Sequence, residues 1–389
     1  MAKPNLALIP ATIGDKVYSI LPSDGVGDFD FTRGSEATRI NAQGLIETVA
    51  SGENRLNYSL LDGEVVGCPH LLLEPARTNL EAKSNEFSTW AVNSNTTRTA
   101  DYIISPDGTL NATRLQFTAN GFCANTSQSL ATYTVSCYAK RNDNGTQNVG
   151  FFTNGSGVVN SAWDITSEWK RFSYTFPALN ASFMGIAGVS GADISVYGFQ
   201  IEGLASYATS YIPTNGSAVT RAAETCNGSG NAATFNDSEG VLMVESSLLD
   251  VLQDGIRISI SDGSSAENRI TFRYLNDNQI QIELGLTNGF SETLNLDNSE
   301  NFNKIAVVYN STNASIFING FNLVTDTMSA LSGLSQLQFN RFNANIENFH
   351  GNVKQVQYFN LVLDSEQLEQ LTSWDSFRAM AEGQLYTIE

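Results

Sequence analysis

Catalysis on a polypeptide needs paired carboxylates, a nucleophile with its base, or a set of metal ligands. This chain spaces few residues for any of these. It has two histidines, His70 and His350, far apart in the sequence, so neither a Ser-His-Asp triad nor a histidine metal site is expected. Sugar hydrolysis needs two carboxylates facing one glycosidic bond. Glu245 is followed by two serines and Glu283 by Leu-Gly, so neither has a carboxylate partner on its own strand; pairing across strands stays open. No glycine-rich phosphate loop is present. The expectation is a non-catalytic chain. Binding chemistry is better represented, because aromatic faces suit the CH-rich side of a pyranose. Trp163, in a polar run, is the candidate sugar platform, with Tyr138 and Tyr174 as further glycan-contacting candidates. Burial is the ordinary alternative for any tryptophan. Asp107, Asp193 and Asp262 are loop acids of the type that holds Ca²⁺. Their spacing does not select them, so solvated acids are the simpler reading. No cofactor is expected beyond a possible structural Ca²⁺.

Composition bounds the partners. The formal net charge is −19 over 389 residues, which argues against nucleic acid and anionic membranes, since phosphate binding needs lysine and arginine on the contact face. Such a charge keeps an exposed protein soluble. The apolar run at residues 6–9 is too short for a signal-peptide core, and no stretch is long enough to span a bilayer. Synthesis and assembly in a cytoplasm are expected. Cys68, Cys123, Cys137 and Cys226 lack metal-ligand spacing and read as free thiols; Cys123 and Cys137 could face each other across a hairpin.

The elements that must position these residues are short strands. Charged residues make up only 16% of the chain while aromatics reach 10%, a composition of strands and turns. The reading is all-β, in order: a small N-terminal β unit at residues 1–80, a jelly-roll sandwich at 81–225, a second sandwich at 226–375 and a tail at 376–389. In the middle unit, period-2 strands are expected around residues 113–118, 133–140, 148–152, 171–176 and 194–201, with turns at Asn144-Gly145 and Asn154-Gly155. The strand ending at Gln200-Ile-Glu202 closes that sandwich, and Pro213 marks the following piece as an edge or exit. Residues 279–284 alternate strictly, so one face should be buried. Asn319-Gly320 predicts a hairpin, and Asp364 with Gln367 predicts a capped helix bearing Leu368 and Leu371 on its apolar face.

Several strings resemble known proteins. Phe31-Thr-Arg-Gly-Ser-Glu-Ala-Thr-Arg39, Asn54-Arg-Leu-Asn-Tyr58 and Leu71-Leu-Leu-Glu-Pro-Ala-Arg-Thr-Asn-Leu80 resemble a pattern of bacteriophage virion proteins. The stretch at residues 200–223, with Thr209-Ser-Tyr-Ile-Pro-Thr214 and Thr220-Arg221, is similar to the end of carbohydrate-binding-module-like jelly rolls in phage fibres and appendages. Trp169, followed by Lys-Arg-Phe, looks like that family's core tryptophan. The ending, with Tyr358-Phe-Asn360 and the capped helix, resembles laminin-G-like domains of the concanavalin A-like fold. Arg33, Arg39 and Arg55 could form a ligand cluster, but arginine's bidentate geometry favours pairing with acids that fix loops.

The resemblance implies a structural protein of a phage virion, a head or tail fibre or appendage exposed on the particle. Its folds would contact host-surface glycans by shallow aromatic stacking and amide hydrogen bonds. Other virion proteins and copies of itself, as a trimer, are the implied partners. The alternative is a capsid or tail decoration protein with a purely structural role and no bound sugar.

Overall fold

The computed structural model describes residues 2–374 and 376, apart from 14, 126–127, 144–147, 155–156, 160–162, 182, 265–266, 286–288 and 342–346. Strands dominate it, with one 3-10 turn and one α-helix among the described residues. The protein is all-β, as its composition predicts. The expected turns at Asn144-Gly145 and Gly155, and the tail beyond Ser376, lie outside the described residues.

The middle of the chain is a sandwich of two antiparallel sheets. The larger runs Thr96–Ile104, Leu110–Phe117, Asp193–Gly203, Gln128–Arg141, Lys170–Ala181. The smaller runs Ala91–Val92, Gly121–Asn125, Met184–Gly188, Val149–Thr153, Gly157–Val159. Alternate side chains such as Leu115, Cys137, Phe151, Ile186 and Phe199 meet between them. The strand Asp193–Gly203 is central, and is buried on both faces. Its outer face is covered because the chain folds straight back over it. The Ile212 amide donates to Gln200 Oε1 at 2.7 Å, and the Thr209 amide donates to the Glu202 carboxylate at 3.0 Å. Pro213 lies in this unpaired segment, and the exit strand Val219–Arg221 pairs with Arg77–Asn79.

The second sandwich has a five-stranded sheet, Phe290–Asn295, Gln279–Leu284, Arg269–Leu275, Ile256–Ser261, Gln336–Gln338. Residues 279–284 alternate half-buried and buried, as their pattern predicts. The facing sheet runs Phe321–Thr327, Asn313–Ile318, Asn303–Asn310, Glu239–Leu248, Gly351–Phe359, Glu64–Leu73, Arg55–Leu61, with Leu6–Leu8 also paired to Gly351–Phe359. Asn319 and Gly320 both take positive φ, 48° and 92°, which the two-residue hairpin turn requires. The helix Ser365–Thr372 carries the expected capping box from Asp364 and Gln367. Its Leu368 and Leu371 pack on Val241, Met243 and Phe317, so Glu239–Leu248 is buried on both faces.

The expectation of a separate β unit at residues 1–80 needs correction. Three of its strands complete the larger sheet of the C-terminal sandwich, and Phe29–Thr32 pairs with Thr225–Asn227. Arg77–Asn79 joins the jelly-roll sheet. The reason is burial: the apolar side chains of these strands are covered by the second sandwich and form no separate cluster. Leu6, Leu8, Phe29, Phe31, Leu71 and Leu73 therefore share one core with Val244, Ile258 and Phe272.

Buried ion pairs tie the regions together. Arg55 is fully buried and bonds both Glu224 and Glu74; its Nε to Glu224 Oε1 distance is 2.8 Å and its Nη2 to Glu74 Oε2 distance is also 2.8 Å. Arg33 reaches Glu224 at 2.8 Å, and Arg221 reaches Glu74 at 2.7 Å. The backbone amide of Glu74 donates to Glu224, and the Ser210 hydroxyl donates to Glu74 at 2.6 Å. Arg39 pairs with Glu47 at 3.2 Å. Arg33, Arg39 and Arg55 thus fix loops through acids, as the chemistry of arginine favours.

Removing one partner leaves an uncompensated buried charge, which costs about 3–5 kcal/mol. Glu224→Gln is expected to lose that much in urea unfolding; a loss below about 1 kcal/mol would contradict the reading that Arg33 and Arg55 are left uncompensated without it. Burial alone would raise the Glu74 carboxyl, but the Arg221 and Arg55 charges overcome it and hold the group well below its ordinary value of 4.5. A group depressed on folding contributes stability above its unfolded pKa and loses it as pH falls below that value. Stability is therefore expected to decline on acidification below about pH 4.5, with a shallower decline in Glu74→Gln. An identical acid limb in the variant would contradict this.

Candidate functional site

A cleft of about 650 Å³ opens where the jelly roll, the N-terminal hairpins and the C-terminal sheet meet. Asn57, His70 and Leu72 contribute to it from the outer face of the C-terminal sheet, together with Asn352. Tyr138 and Arg171 contribute from the outer face of the larger jelly-roll sheet, next to Trp169. The hairpin of Ala37–Ile40 and Ile46–Val49 brings Thr38, Arg39, Ile40 and Ile46. The fold-back segment brings Ser210 and Tyr211, so the ion-pair network lies against this cleft.

Its aromatic residues are held in place. The Trp169 indole Nε1 donates to the Ile104 carbonyl at 3.1 Å, and the Lys140 ammonium lies 5.9 Å from its ring centre. The Arg171 guanidinium lies 5.4 Å from the Tyr138 ring centre. Burial pushes the Tyr138 phenol up, so it is neutral and can donate a hydrogen bond. Tyr211 shares a 2.7 Å hydrogen bond with Ser84 and rests on Gly198. Gly198 has φ +65°, and a Cβ there would stand 3.2 Å from the Tyr211 ring, so only glycine fits comfortably.

The cleft also contains Arg39, Lys170 and Arg171 against Asp62, Asp164 and Glu168, a balanced set once Glu74 is assigned to its arginines. His70 is not a base: burial, with the Lys354 charge, lowers it to about 3. Its Nε2 lies 3.0 Å from the Asn57 amide nitrogen. Aromatic faces, amides and balanced charges form a surface for a neutral, hydroxyl-rich ligand.

Of the three candidates from the sequence, only Tyr138 reaches this cleft. Trp163 is 4% exposed and stacks on Phe172 at 4.6 Å, with Phe151 at its edge; it is a core residue and no sugar platform. Tyr174 lies opposite Val135, on the core side of the sheet, against Phe176 at 4.9 Å. Trp169, which resembles a core tryptophan, is instead the cleft residue. The polar Lys170-Arg171 that follow it, against the buried Ile165 two residues after Trp163, were the available signal.

The loop acids are engaged elsewhere. Asp107 accepts from Thr109, Asn111 and Tyr197, Asp193 from Arg114 and Asn142, and Asp262 from Asn268. No group of three or more metal-ligating side chains occurs among the described residues. Glu245 accepts from Gln355 at 2.6 Å, and Glu283 is clamped by Arg257 and Arg269. The four cysteines are free, three of them buried.

The two tryptophans predict opposite outcomes. Trp163→Ala is expected to destabilise the fold by about 3–5 kcal/mol, as large core truncations do. Trp169→Ala should cost under about 1 kcal/mol, the range of substitutions away from the core. Equal losses in urea unfolding would refute the assignment of Trp169 to the cleft.

Residues 249–369 match the family model described as the concanavalin A-like lectin/glucanases superfamily. Three solved structures illustrate the likeness. The CBM40 of Ruminococcus gnavus IT-sialidase bound to alpha2,3 sialyllactose is 16% identical, over 38% of this chain and 94% of that chain, with a TM-score of 0.32. Domain 4 of AbnA, an extracellular arabinanase from Geobacillus stearothermophilus, in complex with arabinotriose, is 9% identical, over 39% and 73%, with a TM-score of 0.31. The binding domain of Paraclostridial Mosquitocidal Protein 1 is 13% identical, over 39% and 43%, with a TM-score of 0.29. No curated protein sequence matches the chain. The matched stretch starts just after Glu239–Leu248 and ends within the helix Ser365–Thr372. The C-terminal sandwich is thus a concanavalin A-like lectin/glucanase domain, its larger sheet completed by strands from the N-terminus.

Proposed function

We propose that this protein is a non-catalytic glycan-binding component of a bacteriophage particle, a fibre or appendage on head or tail. The cleft carries the binding half of the proposal: Trp169, Tyr138 and Tyr58 stand beside Asn57 and Asn352 with balanced charge. Such a site takes a neutral sugar by ring stacking and amide hydrogen bonds. A concanavalin A-like domain is consistent with it. The particle assignment is supported by the ordered motifs between Phe31 and Arg221 that resemble virion proteins. A non-catalytic role is supported by the acids themselves. Glu74 and Glu283 are each bonded to two arginines, so both are engaged in ion pairs of the fold. Weak single contacts become useful through many copies on one particle, for which a trimer is the expected unit.

A glycan array with the full chain, followed by titration of Trp169→Ala, tests the binding half. Losing one aromatic stack from a shallow site is expected to weaken binding roughly tenfold. No array signal above background would sink the glycan role and leave a decoration protein. Immunogold labelling of particles with an antibody to residues 226–375 tests the rest. Label on projecting fibres is expected; uniform label against a shell would favour decoration, and no label on any particle would end the virion assignment.

A further inference from the structure

The cleft has a chemical bias beyond its balanced charge. Ile40, Tyr138 and Trp169, each half-buried, line it and pack against the buried cluster of Ile46, Tyr197 and Tyr211. Ile40 ends the strand Ala37–Ile40, Tyr138 lies in Gln128–Arg141, and Trp169 directly precedes Lys170–Ala181. Three elements thus bring apolar groups together on one wall. Leu60 and Leu61, at the end of Arg55–Leu61, add further aliphatic surface to the lining.

The polar side chains of the inner lining are occupied by the protein itself. The Thr38 hydroxyl donates to the Tyr211 carbonyl, the Thr209 hydroxyl to Glu202 and the Ser210 hydroxyl to Glu74. Asn57 Oδ1 accepts from the Ile40 amide at 2.7 Å, which turns the Asn57 nitrogen to His70 Nε2 at 3.0 Å. The Asn352 amide nitrogen donates to Ser247 at 3.0 Å. The Tyr138 hydroxyl and Asn352 Oδ1 have no partner among the described residues. Asp62, Asp164, Glu168 and Lys170, which could take further hydroxyls, are all exposed. A sugar hydroxyl pressed against the Ile40 wall would give up its water and find no partner there, which is unfavourable. A methyl group in the same place gains by leaving water.

We propose that the cleft selects a 6-deoxyhexose, its methyl group seated on Ile40 and its hydroxyls turned to Tyr138, Asn352 and the exposed charges. The inference rests on the reading of the cleft as a glycan site and names the sugar class that it takes. A 6-deoxyhexose keeps a neutral ring with an apolar face for Trp169, and replaces one hydroxyl with a methyl group. An N-acetyl sugar also carries a methyl group. It brings with it an amide N–H and C=O that need partners of their own, and the inner lining has used most of its own.

The test is an NMR titration of the full chain, with saturation transfer, using matched sugar pairs: methyl α-L-rhamnoside against methyl α-L-mannoside, and methyl α-L-fucoside against methyl α-L-galactoside. The members of each pair differ only in the 6-hydroxyl. The deoxy sugar of at least one pair is expected to bind roughly tenfold tighter than its partner, with its methyl protons the most strongly saturated. Ile40→Asn, which sets an amide on the wall, should remove that preference, and Ile40→Val should keep it. Melting curves check that both variants remain folded. Equal affinity within both pairs overturns the proposal, as does tighter binding of the hydroxylated sugars or no binding of any of them. A folded Ile40→Asn protein that retains the preference also overturns it. An array signal for neutral glycans that Trp169→Ala abolishes, with no preference in either pair, sinks this selectivity alone and leaves the cleft reading standing. A blank array together with no binding removes both.

Discussion

Arg55 buried against Glu74 and Glu224 is the constraint on which the rest of the molecule depends. Three guanidinium groups, Arg33, Arg55 and Arg221, converge on two carboxylates with almost no access to solvent. Charges in such a place are tolerable only if every partner arrives together. The partners come from the N-terminal hairpins, the jelly-roll exit and the linker into the second sandwich. A chain with one of these segments displaced would leave a bare charge inside, so the network selects one arrangement of all three. The cleft inherits its shape from that selection, because Ser210 bonds the network while its neighbour Tyr211 lines the cleft.

The same logic explains why the N-terminal residues are not a unit of their own. Leu71 and Leu73 bury in the core of a sandwich whose other strands begin some 170 residues later in the sequence, whereas Arg55 and Leu72, paired across the same two strands, face the other way. Two adjacent strands thereby serve a hydrophobic core on one face and an ion network on the other. Pairings this distant in sequence carry a loop-closure entropy that local hairpins do not. The second sandwich is complete only when the N-terminal strands have docked.

The cleft balances its charges and presents aromatic rings, so its electrostatics suit a neutral ligand better than an anion. Arg257 and Arg269 of the five-stranded sheet are by contrast buried against Glu283 and serve the fold.

The sequence by itself determined the all-β class, the strict alternation at residues 279–284, the Asn319-Gly320 hairpin and the helix capped by Asp364, because each is a local property of spacing and backbone preference. It also favoured the pairing of Arg33, Arg39 and Arg55 with acids, since guanidinium chemistry allows few alternatives in a folded chain. It could not say which of two nearby tryptophans faces solvent. Lys170-Arg171 after Trp169 and Ile165 after Trp163 are only a weak local hint, and the packing of Phe151 and Phe172 around Trp163 is what leaves Trp169 as the cleft residue. Tyr138 and Tyr174 are both strand residues, and which face of the sheet each takes follows from register, where a slip of one residue exchanges the faces. Strand partners and the meeting of Glu74 with Glu224 were decided by tertiary structure alone, because they join segments far apart in the sequence and no local pattern encodes such a pairing.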